Sequence, residues 1–170
     1  MGDFMKKFLF FTLMLTGFLY SESTNFVHQI GFWAGGTTGV GLSYRYKPSD
    51  WSIQFAFLPY YVKEDVFFSI GGSFQKYLVE TDWTALLLYV GVSGLYNIYN
   101  SGYYDSDDNW KTERRVFGSV NIGFGPGFEL KILERFVVSL NIGYGFFYQY
   151  QPSSEIMINF TVEGGVYYRF

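Results

Sequence analysis

Residues 155–170 read EIMINFTVEGGVYYRF, and alternate positions carry opposite chemistry. Ile156, Ile158, Phe160, Val162, Gly164, Val166, Tyr168 and Phe170 share one face, while Glu155, Met157, Asn159, Thr161, Glu163, Gly165, Tyr167 and Arg169 share the other. Successive side chains of an extended strand point to opposite faces, so this period of two specifies a strand and not a helix. The preceding stretch, 135–150, repeats the pattern: Phe136, Val138, Leu140, Ile142, Tyr144, Phe146, Tyr148 and Tyr150 oppose Arg135, Val137, Ser139, Asn141, Gly143, Gly145, Phe147 and Gln149.

Working back along the chain, Val116, Val120, Ile122, Phe124 and Phe128 oppose Arg115, Ser119, Asn121, Gly123, Gly125 and Glu129. Val40, Leu42, Tyr44 and Tyr46 oppose Gly39, Gly41, Ser43 and Arg45. Four further segments, Phe26–Gly35, Trp51–Tyr60, Val66–Val79 and Trp83–Tyr99, are extended but their alternation is noisier. Turn-type clusters separate the segments at Gly35–Thr37, Lys47–Asp50, Tyr61–Asp65, Glu80–Asp82, Asn100–Thr112, Lys131–Glu134 and Gln151–Ser154. Seven connections make eight strands, each about ten residues or longer, the length a tilted strand needs to cross a bilayer. The expected class is all-β, an eight-stranded antiparallel up-and-down transmembrane β-barrel.

Alternation alone does not say which face looks outward, and a soluble lipocalin-like carrier with an apolar cavity has the same period. The composition of the polar face separates the two. A water-facing exterior needs Lys and Glu, whereas this face is mostly Gly, Ser, Asn and Gln, which suits a crowded lumen. The apolar face carries Tyr44, Tyr46, Phe128, Tyr148, Tyr150, Tyr168 and Phe170 near strand ends, where an aromatic girdle meets lipid headgroups. Only 16% of the 170 residues are charged, below the roughly 25% of soluble domains.

At the other end of the chain, Lys6 and Lys7 precede an apolar run from Phe8 to Leu19, followed by Ser21, Glu22 and Ser23. Basic, apolar and small-residue regions in that order form a secretory signal, and the run is shorter than the roughly 20 residues of a spanning helix. Residues 1–23 are therefore expected to be removed and 24–170 to form the barrel. The chain has no Cys and one His, which excludes disulfide scaffolds, a lipoprotein anchor and Cys- or His-cluster metal centres. A formal net charge of −3 disfavours nucleic acid as a partner.

On these residues the chain resembles the small eight-stranded outer-membrane barrels of the OmpA/OmpX type. The resemblance spans the whole expected mature chain, and its most specific motif is the alternating, Phe-ended terminus Val166, Tyr168 and Phe170, similar to the signal read by the outer-membrane assembly machinery. It implies residence in the outer membrane of a Gram-negative-type bacterium, contact with outer-membrane lipid and lipopolysaccharide, and periplasmic termini. The longest connection, Asn100–Thr112, then faces outside. The first connection at Gly35–Thr37 is very short and leaves little outer surface.

Candidate chemistry is sparse. Within the long connection, Tyr103, Tyr104, Asp105, Asp107, Asp108 and Trp110 form a candidate external contact surface for an unknown partner, since exposed Tyr and Trp are typical contact residues. Asp105, Asp107 and Asn109 have the opening spacing of a calcium loop, but Trp110 occupies the place of the required Gly, so no metal site is assigned. Arg45, Arg115, Asn121, Glu129, Arg135, Asn141, Glu163 and Arg169 are expected to form a lumen polar network, because buried charges must be paired or hydrogen-bonded. His28 falls at the periplasmic end of the first strand, the wrong end for lipid acyl transfer at the outer leaflet. The expected role is a non-enzymatic outer-membrane protein without cofactors, giving envelope structure or surface contact. The competing role is a small pore or a lipid-processing enzyme.

Overall fold

The computed structural model describes residues 27–62, 65–104, 110–151 and 154–170, with backbone alone at 103, 104, 111 and 151. They form β1 (His28–Gly35), β2 (Gly39–Tyr46), β3 (Trp51–Val62), β4 (Asp65–Glu80), β5 (Thr84–Tyr104), β6 (Trp110–Ile132), β7 (Phe136–Gln151) and β8 (Glu155–Arg169). Each strand pairs antiparallel with its sequence neighbours, and β8 closes the ring on β1 through Gln29↔Arg169 to Ala34↔Gly164. A closed up-and-down barrel has no lateral edges wherever all its strands are present.

The alternation read from the sequence is the alternation between inside and outside. On β1, Phe32 is 72% exposed while the adjacent Trp33 is 2% exposed. Ile122, Phe124, Leu140, Ile142, Phe160 and Val162 lie outside; Asn121, Gly123, Ser139, Asn141, Thr161 and Glu163 lie inside and are buried. The barrel thus inverts the soluble arrangement, with an apolar exterior and a polar interior. The noisy segments have a physical cause. Inward positions on β4 and β5 carry Tyr77, Ala85, Leu87 and Tyr89, which pack as an apolar cluster. Trp33, Ala56, Val137 and Tyr167 make a second cluster across the lumen.

Two connections differ from the sequence reading. The ladder of β5 and β6 continues through Asn100↔Arg114 to Tyr104↔Trp110, so Asn100–Tyr104 and Trp110–Thr112 are strand and not loop. Asn, Ser and Gly at 100–102 mimic a turn, but a ladder needs only backbone pairing, and the neighbouring Tyr, Trp and Thr residues favour strands. The first connection does not project outward at all. β1 and β2 are eight residues each, against 21 and 23 for β5 and β6. Their hairpin tip folds into the lumen, leaving Thr37 and Thr38 fully buried.

The inward fold depends on two glycines. Gly39 and Gly41 have φ of 90° and 130°, conformations that a side chain disfavours, and they let the end of β2 leave the wall. Space requires Gly at 39 as well, because a Cβ there would lie 2.7 Å from the backbone nitrogen of Gly71 on β4. Val40 N–H then donates to Ser69 Oγ at 3.0 Å, tying the displaced end of β2 to the inner face of β4.

Candidate functional site in the barrel interior

The interior has two polar layers. Nearer the end that carries His28 and Phe170, Arg45 on β2 pairs with Glu129 on β6, both essentially without solvent exposure. The Arg45 guanidinium also donates to Gln54 Oε1 at 3.0 Å and lies 4.1 Å from the centroid of the Tyr167 ring. Gln75 Nε2 donates to Gln54 Oε1 at 2.9 Å, and Ser52 donates to Gln75 Oε1 at 2.8 Å. Charge at this depth survives only with such partners, because an unpaired buried ion pays its whole desolvation cost.

The second layer holds the hairpin tip. Glu163 on β8, 1% exposed, accepts from Thr37 N–H at 2.6 Å, from Thr37 Oγ1 at 2.6 Å and from Thr38 Oγ1 at 2.5 Å. Trp33 Nε1 donates to Thr38 Oγ1 at 2.6 Å, which aims the Thr38 proton at the carboxylate. From the other side, Ser93 Oγ and Asn121 Nδ2 both donate to the Gly36 carbonyl, at 2.8 and 2.9 Å. One carboxylate and two wall donors thereby hold a turn across the barrel.

The wall makes room for it. Gly91, Gly123 and Gly145 lie in one register across β5, β6 and β7, and a Cβ at Gly145 would sit 2.6 Å from Thr37 Cγ2. This belt of inward glycines was a readable signal of an object inside the lumen, once the register was known. Sequence reasoning did not find Trp33, Thr37, Thr38 or Tyr77, because apolar or turn-type residues give no sign that they point into a polar interior; Tyr167 falls on the expected inward face, but its packing against Arg45 was not legible.

Of the residues expected in the lumen network, Arg45, Asn121, Glu129, Asn141 and Glu163 are buried inside the barrel, and Arg169 is half-buried near the terminal end. Two lie elsewhere. Arg115 is exposed and its guanidinium lies 3.4 Å from Glu113 on its own strand, because β6 continues beyond the packed interior. Arg135 sits in the turn before β7, where its guanidinium donates to Tyr168 Oη at 2.9 Å. Of the expected contact loop, Trp110 is exposed at the start of β6, the backbones of Tyr103 and Tyr104 end β5, and Asp105, Asp107 and Asp108 lie outside the described residues. The signal segment lies outside them too.

At the terminal end, Phe170 N–H donates to the His28 carbonyl at 2.9 Å, and the two rings stack with centroids 5.9 Å apart. His28 Nδ1 is 2.6 Å from Tyr44 Oη. On the same rim, Glu80 bridges Lys47 and Lys131 at 2.5 and 2.8 Å. Burial holds the Lys47 ammonium below the usual Lys range, against the pull of Glu80. Among the described residues no group of His, Asp and Glu is placed to hold a metal ion.

These features define a class: a closed eight-stranded antiparallel barrel with an apolar exterior, a polar packed interior and a plug built from its own first hairpin. No family model and no curated protein matches the chain. Among solved structures it is similar to the N-terminal β-barrel domain of Pseudomonas aeruginosa OprF, at 13% identity and TM-score 0.40, covering 84% of this chain and 95% of that one. It is also similar to Ail, the attachment invasion locus protein of Yersinia pestis, at 16% identity and TM-score 0.35, covering 84% and 96%. Neisserial surface protein A matches at 14% identity and TM-score 0.36, covering 84% and 93%.

Proposed function

We propose that this chain is a non-enzymatic integral protein of the outer membrane of a Gram-negative-type bacterium, which gives envelope structure or makes surface contacts from the outer ends of its long strands. One observation carries the reading: large apolar side chains cover the outside of the closed ring while Arg45, Gln54, Gln75, Asn121, Glu129, Asn141 and Glu163 are turned inward and buried. In water that arrangement would expose an apolar belt far larger than a monomer tolerates; in a bilayer it is the stable one. Periplasmic termini, as in the barrels the sequence resembles, place the β5–β6 hairpin on the outside, with Trp110 exposed for contact. Outer-membrane lipid and lipopolysaccharide are then the surroundings of the belt, and Val166, Tyr168 and Phe170 the segment offered to the assembly machinery.

The plugged interior supports a structural role over conduction. The tip at Gly36–Thr38 spans from Glu163 on β8 to Ser93 on β5 and Asn121 on β6, across the space that a pore would need. Fractionation of cells expressing the chain tests the reading. The protein should be recovered with the outer membrane and migrate faster in unheated than in heated detergent samples, as closed hydrogen-bonded barrels resist detergent. Recovery in the soluble periplasm without a heat shift would overturn it.

A further inference from the structure

Folding the first hairpin inward removes part of the wall. β1 pairs with β8 only up to Ala34↔Gly164, and β2 pairs with β3 only up to Leu42↔Phe57. Beyond those points β8 has β7 as its ladder partner and β3 has β4, so an opening about three strand spacings, or about 14 Å, wide separates β3 from β8. Eight residues at the tilt of such barrels rise only about 20 Å, less than the roughly 25 Å apolar band. The opening therefore begins inside the apolar band. Along its margin, Ile156, Ile158, Phe160 and Val162 of β8 are 60 to 70% exposed.

The interior changes character at the same level. Around the hairpin tip the inward side chains include Thr37, Thr38, Ser93, Asn121 and Glu163, all buried and hydrogen-bonded. Above it Leu58, Phe67, Leu95, Phe117, Phe147 and Met157 occupy inward positions and are half-buried, with buried Ser119 and exposed Asn159 among them. Phe147 marks the floor, since its ring lies 3.4 Å from where a Cβ of Gly36 would stand. Leu58 lies where β2 leaves the wall, its Cβ 2.6 Å from where a Cβ of Gly41 would be. The result is an apolar cup above a polar plug, open sideways onto the apolar exterior. Asn97 and Gln149, also half-buried, face inward along the same walls.

The geometry points to an acyl-chain site: the cup takes one hydrocarbon chain of a lipid in the surrounding outer leaflet, which enters between β3 and β8 and rests on Phe147 above the hairpin tip. This rests on the membrane reading above. Continuity selects the occupant, because the opening joins the cup to the same belt that faces lipid, and an apolar concave surface with a few amides at its walls suits an amphiphile. Water in the cup would leave this apolar lining wetted within the band.

Site-directed spin labelling tests the site, and the absence of native Cys makes single labels clean. The full barrel, refolded into phosphatidylcholine vesicles, would carry a nitroxide at Leu95→Cys or, in a second variant, at Met157→Cys. Collision with oxygen, which concentrates in lipid, is compared with collision with a water-soluble nickel chelate; Phe160→Cys gives the lipid reference and Ser49→Cys the aqueous one. The expected ratio at 95 and 157 shifts to the Phe160 value. A ratio at the Ser49 value means a water-filled cup, and dipolar broadening between labels means a second copy in the opening; either overturns the site. An aqueous ratio at Phe160 itself would overturn the membrane reading with it, so the two failures are distinguishable.

Discussion

Glu163→Ala removes the carboxylate that anchors the inward hairpin. In the folded protein it accepts three hydrogen bonds from Thr37 and Thr38, and it is 1% exposed, so water does not replace it. The two hydroxyls can rotate to other acceptors, but the Thr37 N–H is fixed by the turn, and a stranded buried donor costs about 1–3 kcal/mol. Adding part of the two charge-assisted hydroxyl bonds, and subtracting the relieved desolvation of the carboxylate, gives an expected loss of about 3 kcal/mol. Glu163→Gln keeps one carbonyl oxygen for the Thr37 donors, while the Thr38 hydroxyl can accept from the new amide, so its loss should be about 1 kcal/mol. Urea unfolding in vesicles, followed by Trp fluorescence, measures both, and Trp33 reports locally through its bond to Thr38. A Glu163→Ala barrel within about 0.5 kcal/mol of the parent would refute the anchoring role. So would equal losses for the two variants.

Further outcomes follow from the same interior and from the terminus. Glu129→Ala strands the buried Arg45 guanidinium and should cost about 3–5 kcal/mol in the same assay, while Arg45→Met combined with Glu129→Leu should recover most of it; a double variant worse than the single one would contradict this. Gly123→Ala collides with the Thr37 side chain and should cost about 1–3 kcal/mol. Gly94→Ala meets only Ile70 Cγ2, at 3.8 Å, and should be neutral within about 0.5 kcal/mol, so equal melting of the two Ala variants would show that the tip does not occupy the lumen. Deleting Phe170 removes the bond and ring contact that clasp His28 and should lower outer-membrane levels on cell fractionation while leaving export intact; unchanged levels would reject its role as an assembly signal.

The sequence carried the architecture where one face was consistently polar. β7 and β8 could be placed residue by residue, since Asn141, Thr161 and Glu163 sit opposite Ile142, Phe160 and Val162. β4 and β5 could not, because Tyr77, Leu87 and Tyr89 turn inward and make both faces look apolar. The plug was hidden for a different reason. Gly36, Thr37 and Thr38 form an ordinary-looking short turn, and only the register that aligns Gly91, Gly123 and Gly145 shows that the wall was hollowed to receive it. Local sequence states that the chain turns there; which way the turn leans is decided by contacts with strands more than thirty residues away.

Thiol labelling of the folded barrel in vesicles tests the inside-out arrangement most directly, with single Cys residues at Asn141, Ile142, Phe160 and Thr161. Positions 142 and 160 lie on the exposed apolar face, and 141 and 161 are buried in the lumen. A lipid-soluble maleimide should modify the Cys at 142 and 160 and leave those at 141 and 161 unmodified until the protein is unfolded, while a membrane-impermeant reagent should modify none of the four. Rapid modification of 142 and 160 by the impermeant reagent would put the apolar face in water and contradict a membrane barrel.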